Sequence, residues 1–257
     1  MMSEAEKTKR PSGTRWCGTG VVFAGTGTAL VLVALIGART ELLSAMMAFM
    51  IFGIAMLALL IGILSTVVGL IMSKGTGGAT SAVRTWSGLT AAVLILAVSM
   101  SQRPPSGGGS PIHDITTDVG NPPSFEAIVQ IRADAGARNP PEYAGSEAAK
   151  IQKSIYPDLV TLTVEKPTDE VFAAAEKVAR NLGWEIVRAD PDSGQIEATA
   201  TTYWFRFKDD VAIRLTPRGT ETYVDIRSKS RVGQGDMGAN AGRIQAFLSS
   251  LRAATGD

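Results

Sequence analysis

Three runs of this 257-residue chain hold side chains able to do chemistry. The first is HDITTD, in which His113, the only histidine, stands beside Asp114 and Asp118. Imidazole near carboxylates can hold a metal ion or move protons near neutral pH. A catalytic zinc site, however, usually takes three protein ligands, and neither a second histidine nor a nearby cysteine is present. A hydrogen-bonding role for His113 within its own segment is therefore the expectation, with no metal and no cofactor. The second run is YWFRFKDD, where aromatic side chains alternate with the basic Arg206 and Lys208 ahead of Asp209 and Asp210. Such interleaving can stack single-stranded bases. Yet residues 103–257 carry 18 basic against 21 acidic side chains, so nucleic acid is not an expected partner. Core aromatics alternating with outward charges along a strand fit better.

The third run, DIRSKSRVGQGDMGAN, places Asp225, Arg227, Ser228, Lys229, Arg231, Asp236 and Asn240 around a glycine-bearing loop ahead of a helix. Arginines and a helix N-terminus can together hold a carboxylate or a phosphate. The same side chains can instead form an internal ion-pair and capping network, since such a loop must satisfy its polar groups whatever it binds. The network reading is the expectation. A Ser-His-Asp hydrolase would have to pair His113 with Ser228 or Ser230, and neither serine sits in a nucleophile-elbow sequence.

The elements that must position these residues lie in an unevenly charged chain. Residues 16–102 hold four charged side chains, whereas residues 103–257 hold 39. So long an uncharged stretch argues against a wholly soluble protein. A helix needs about 20 apolar residues to cross the hydrocarbon layer. Trp16 to Ala38 fits one crossing, Leu42 to Ser73 one long or tilted crossing, and Thr85 to Gln102 a third. The expected division is a cytoplasmic tail at 1–15, three transmembrane helices within 16–102 (about 18–38, 44–72 and 84–101), a linker at 103–111, and an α+β domain at 112–257. Ala55, Ala58, Gly62, Thr66 and Gly69 recur at helical spacing in the second span and suit close packing against the other spans of the same chain.

Basic residues set the orientation. Lys7, Lys9, Arg10, Arg15, Lys74 and Arg84 fall on one side, and only Arg39 and Arg103 on the other. This favours a cytoplasmic N-terminus and a periplasmic or otherwise extracytoplasmic C-terminal domain, in a multi-pass protein of the bacterial inner membrane. A cleaved signal peptide is not expected, because no small-residue cleavage site stands out before two further spans. One cysteine forms no internal disulfide.

After the RPPSGGGSP tether, Ile112 to Ala144 is too polar and broken for long elements and is expected to wrap across a sheet or line a groove. The pattern then predicts a short helix at Ser146–Ile155 and a strand at Leu159–Val164. A helix capped by Thr168 and stopped by Gly183 follows. Strands are expected at Trp184–Arg188, Gln195–Thr201, Tyr203–Lys208 with Val211–Leu215 (one bent strand or two), and Glu221–Ser228. A final helix runs from about Asn240 to Arg252. Tight turns favour a mainly antiparallel sheet with both longer helices packed on one face.

The runs HDITTDVGNPPSF, YPDL at Tyr156 to Leu159, Gly183-Trp184, IEATATTYWFRFKDDVAIRL and VDIRSKSRVGQGDMGAN stand in order along the chain. Through them the segment from about Pro111 to Leu251 resembles the bacterial and plastid family called domain of unknown function 1499. The resemblance implies one compact domain, often attached to N-terminal membrane spans, with no established enzyme activity and no catalytic residues to carry over.

The residues and the resemblance together predict a membrane-anchored envelope protein. Its exposed domain is expected to bind a partner protein or a small anionic or lipid ligand without catalysis. Candidate contacts are His113, Asp114, Asp118, Arg206, Asp210, Asp225, Arg227, Arg231, Asp236 and Asn240, in a polar groove between HDITTD and the 225–240 loop. The alternative is a hydrolase or metal-assisted enzyme built on His113 and its acidic neighbours.

Overall fold

The computed structural model describes residues 12–73, 86, 88–93, 95, 97 and 112–256. The chain divides into two units, Met1–Arg103 and Pro104–Asp257. In the first, uninterrupted apolar sequence forms two long helices, α1 (Ser12–Arg39) and α2 (Ala45–Ser73), joined by five residues. Both are long and apolar enough to cross a membrane, with mean hydropathy of 2.2 and 2.7. So short a connection forces an antiparallel hairpin.

Small residues set how closely the pair packs. A Cβ on Gly62 would lie 2.9 Å from the Ala24 backbone nitrogen and 3.1 Å from the Gly20 carbonyl oxygen. A Cβ on Gly69 would stand 2.6 Å from the Cys17 nitrogen. The small-residue stripe of the second span thus packs against the first. Of the expected third span, only residues 86, 88–93, 95 and 97 are described, and all are helical. Ala92 is buried with Ala24, Val31, Ala55 and Leu59. The described residues therefore provide two candidate spans where three were expected, and the rest of 84–101 lies outside them.

In the second unit, alternating apolar residues build a six-stranded antiparallel sheet. Its strands are β1 (Asp114–Thr116), β2 (Leu162–Val164), β3 (Glu185–Asp190), β4 (Gln195–Thr201), β5 (Lys208–Arg218) and β6 (Glu221–Ser230). The order is β1-β6-β5-β4-β3, and β2 shares the outer edge of β6 with β1. Among the described residues four helices complete the domain: α3 (Ala127–Asp134), α4 (Ser146–Ile155), α5 (Thr168–Asn181) and α6 (Ala239–Thr255).

Alternation gives the sheet two unlike faces. Ile196, Ala198, Val211, Ile213, Leu215, Val224 and Ile226 form the core with Val171, Phe172, Ala175, Ile244, Phe247 and Leu251 of α5 and α6. Trp184 stacks on Phe247 with ring centroids 5.5 Å apart. The opposite face is charged, and the segment from Thr117 to Ala144 covers it.

The expected helix at Ser146–Ile155 and strand at Gln195–Thr201 have those bounds. The other later strands and the last helix shift at their ends by one to three residues, and four details differ in kind. Leu159, Val160 and Thr161 lie outside the ladder, after the turn at Pro157 and Asp158, so β2 is half the expected length. Thr168 does not cap α5; its hydroxyl pairs with that of Thr222 at 3.0 Å, and Pro167 holds the cap position. Tyr203 to Phe207 form the turn joining β4 to β5 instead of a strand, with Arg206 in the left-handed region at φ 61°. Finally, Ile112 to Ala144 contains β1 and α3, which sequence periodicity did not reveal.

Candidate functional site

Six of the ten candidate side chains, Asp114, Asp118, Asp210, Asp225, Arg227 and Arg231, converge on the charged face of the sheet. Asp114 accepts from Arg227 Nε at 2.8 Å and Nη2 at 2.9 Å, from Lys229 Nζ at 3.0 Å, and from the Ala144 backbone at 3.1 Å. Arg227 also donates to the Pro141 carbonyl at 2.9 Å, and its guanidinium lies 4.7 Å from the ring centroid of Phe125 and 5.5 Å from that of Tyr143. One cation is thereby held by a carboxylate, a carbonyl and two aromatic faces.

A second cluster forms around Asp210, which accepts from Arg231 Nη2 at 2.7 Å, Arg132 Nη1 at 2.5 Å and the Thr199 hydroxyl at 2.9 Å. Arg132 belongs to α3 and continues to the Asn139 carbonyl at 2.8 Å, tying the covering segment to the sheet. In a third, Asp225 accepts from Arg214 at 2.8 Å, Thr117 at 3.1 Å and Thr161 at 2.6 Å. Arg214 reaches Asp118 at 3.1 Å, and Asp118 in turn closes its own loop through the backbone of Gly120 and Asn121. Glu197 projects from β4 into the start of α3, where it takes the amides of Glu126, Ala127 and Ile128 at 2.9–3.1 Å. A carboxylate there satisfies orphan N–H groups and faces the positive end of the helix.

Burial sets the electrostatics. Desolvation pushes the Lys229 ammonium below its ordinary value, against the pull of Asp114. It also lowers the Arg132 guanidinium, against Asp210. Burial, helped by Asp114, pushes the Tyr143 phenol up to about 12. Within the layer five carboxylates (Asp114, Asp118, Glu197, Asp210, Asp225) face five cations (Arg132, Arg214, Arg227, Lys229, Arg231). The layer is neutral, so it has no net pull on an anion.

The remaining candidates lie elsewhere. His113 Nδ1 is 3.0 Å from the Gln234 carbonyl oxygen, and the His113 carbonyl accepts from Ser230 and from Asn240. Asn240 is fully buried and bonds Ser228 at 2.6 Å and Ser230 at 2.9 Å. Asp236 caps α6 by accepting from Gly238 at 2.9 Å and Asn240 at 2.6 Å, while burial pushes its carboxyl up. Arg206 stands apart in the β4–β5 turn, its Nε buried without a hydrogen-bond partner. Between HDITTD and the 225–240 loop, where a groove was expected, the side chains pair with one another. Among the described residues no three His, Cys, Asp or Glu side chains gather as a metal-binding group.

Sequence reasoning missed Arg132, Glu197, Arg214 and Arg243. The last bridges Asp209 at 2.6 Å, Asn240 at 2.7 Å and Ser228 at 2.9 Å. A lone charge on a strand or helix carries no signal of its partner's position. One small pocket, about 140 Å³, opens beside the layer, lined by Asn121–Ser124, Gln195–Glu197 and Ala212–Arg214. The Gln195 Oε1 there is buried without a partner.

Fold and charged layer together define a chain with two apolar helices and an α+β domain whose sheet carries a core on one side and a closed ionic layer on the other. Residues 114–251 match the model of the family described as Protein of unknown function (DUF1499). The match spans more than half of the chain, which belongs to this family. Among curated proteins none matches it.

Proposed function

We propose that this is a multi-pass membrane protein whose C-terminal domain is a non-catalytic binding or assembly module of the cell envelope. The observation that carries the reading is the commitment of Asp114, Asp210, Arg227 and Arg231 to internal pairs. Using any of them for chemistry would leave a buried charge uncompensated, at a cost of about 3–5 kcal/mol. The neutral layer gives a small anion little attraction, which favours a protein or lipid partner. Native mass spectrometry of the full chain in lipid nanodiscs tests this. A stoichiometric bound protein or lipid is expected. Turnover that disappears in His113→Ala would overturn the reading in favour of an enzyme.

The proposal includes a third crossing at residues 84–101. Its support is the helical state of residues 88–93, the burial of Ala92 against α1 and α2, and the six-against-two distribution of basic residues. The α1–α2 hairpin returns the chain to the side on which it began, so a third crossing carries the domain to the opposite side. Thr220→Cys, in an exposed turn of the domain, should react with a membrane-impermeant thiol reagent in intact cells with the outer membrane permeabilised. Reaction only after the inner membrane is broken would return the domain to the cytoplasm.

A further inference from the structure

The two ends of the sheet differ. Register places the ends of β4 and β6 and the starts of β1 and β5 together, through the pairs Thr201–Lys208, Asp209–Ser230 and Asp114–Lys229. The β4–β5 turn and the 231–238 loop therefore share one end, and the Arg231 amide donating to the Lys208 carbonyl at 3.1 Å fastens them. This end exposes Tyr203 (66%), Trp204 (38%) and Met237 (59%). The domain's other tryptophan, Trp184, is buried, and no other tyrosine is an exposed large side chain among the described residues. Lys208 is exposed beside them, and Arg206 belongs to the same turn. The opposite end, at Asp190–Gln195 and Arg218–Glu221, is polar.

The chain also enters the domain at the aromatic end. His113 precedes β1 and touches the loop that carries Met237, through Gln234. Only nine residues, Arg103 to Pro111, separate the last apolar window from Ile112. Fully extended they reach about 30 Å. Once the chain is anchored, so short a tether keeps the end of the domain where it attaches within about 30 Å of the bilayer. Tryptophan and tyrosine, with an apolar body and a polar tip, favour the headgroup zone, and lysine and arginine beside them favour its phosphates.

We propose that the Tyr203–Trp204–Met237 end is a lipid-docking surface that seats the domain on the bilayer. The inference rests on the membrane-anchored reading and specifies which surface meets lipid. The docked end orients the domain and leaves the polar turns of the other end free for a partner.

The test uses the full chain with Cys17→Ser, reconstituted into vesicles of equal parts phosphatidylcholine and phosphatidylglycerol. A polarity-sensitive fluorophore is placed at Tyr203→Cys or, as the control, at Thr220→Cys. The label at 203 should shift blue and be quenched several-fold more by spin-labelled lipid than by aqueous iodide, and the label at 220 the reverse. A label at 203 quenched by iodide as readily as the one at 220 overturns the proposal. So does a blue shift without lipid quenching, which marks a protein partner or a second copy on this surface. Nanodisc mass spectrometry reads partner binding separately, so failure here leaves the module reading standing, and the converse.

Discussion

The carboxylate of Asp114 lies side-on to the guanidinium of Arg227, with Oδ1 2.8 Å from Nε and Oδ2 2.9 Å from Nη2, and both side chains are nearly inaccessible. The pair joins the three-residue strand β1 to the centre of β6 across 113 positions of sequence. Lys229 meets the same carboxylate, so one anion holds two buried cations. A strand with three ladder pairs would be weak alone, and this cluster fixes β1 in place.

Asp114→Ala should therefore destabilise the domain by about 3–5 kcal/mol, because Arg227 and Lys229 stay buried without their counter-charge. Denaturant unfolding of the detergent-solubilised chain, followed by near-UV circular dichroism, measures it. A loss below about 1 kcal/mol would mean that the cluster opens to water and is available to a ligand.

Glu197→Gln should cost less and act locally. The carboxylate gives α3 the acceptors that its own sequence lacks, since the position before the helix makes no side-chain cap. The expected loss is about 1–2 kcal/mol. Amide exchange should accelerate at Glu126, Ala127 and Ile128 before any change in β5 or β6. Unchanged exchange at these three amides would show that the helix start is held by packing alone.

What the sequence discloses and what it hides follow from the same geometry. Strand β4 is readable because Ile196, Ala198 and Ala200 alternate, and α5 because Val171, Phe172, Ala175 and Val178 repeat at helical spacing. Helix α3 is hidden because its cap, Glu197, is about 70 residues away. Likewise β1 is too short for periodicity; Gln152 of α4 completes its outer edge, accepting from the Thr116 amide at 3.0 Å and donating to its carbonyl at 2.6 Å. In YWFRFKDD the same alternation misleads, since the turn between β4 and β5 must fall somewhere and falls there. Asp114, Arg227 and Arg231 are conspicuous by type, but only the register that brings β1 beside β6 reveals their mutual pairing.

In the membrane helices, position decides whether a glycine can be enlarged. Gly62→Leu should separate α1 from α2 and lower the melting temperature of the solubilised chain, because its Cβ meets the backbone of Gly20 and Ala24. Gly53→Leu, with nothing within 4 Å, should leave it unchanged or raise it, since leucine is the better helix former. Equal effects at the two positions would rule out the packing of this hairpin.

Tyr143 provides a pH readout of the covering segment. Its phenol is pushed up to about 12 from an ordinary 10.0 by burial first and by Asp114 second. The folded domain then holds the proton over an interval in which the unfolded chain releases it. The stability that this contributes is complete below pH 10.0 and declines as pH rises toward about 12. Tyr143→Phe should abolish that decline and remove a step near pH 12 from the tyrosinate absorbance titration. If that step persists in the variant, another tyrosine carries it, and the segment leaves Tyr143 open to water.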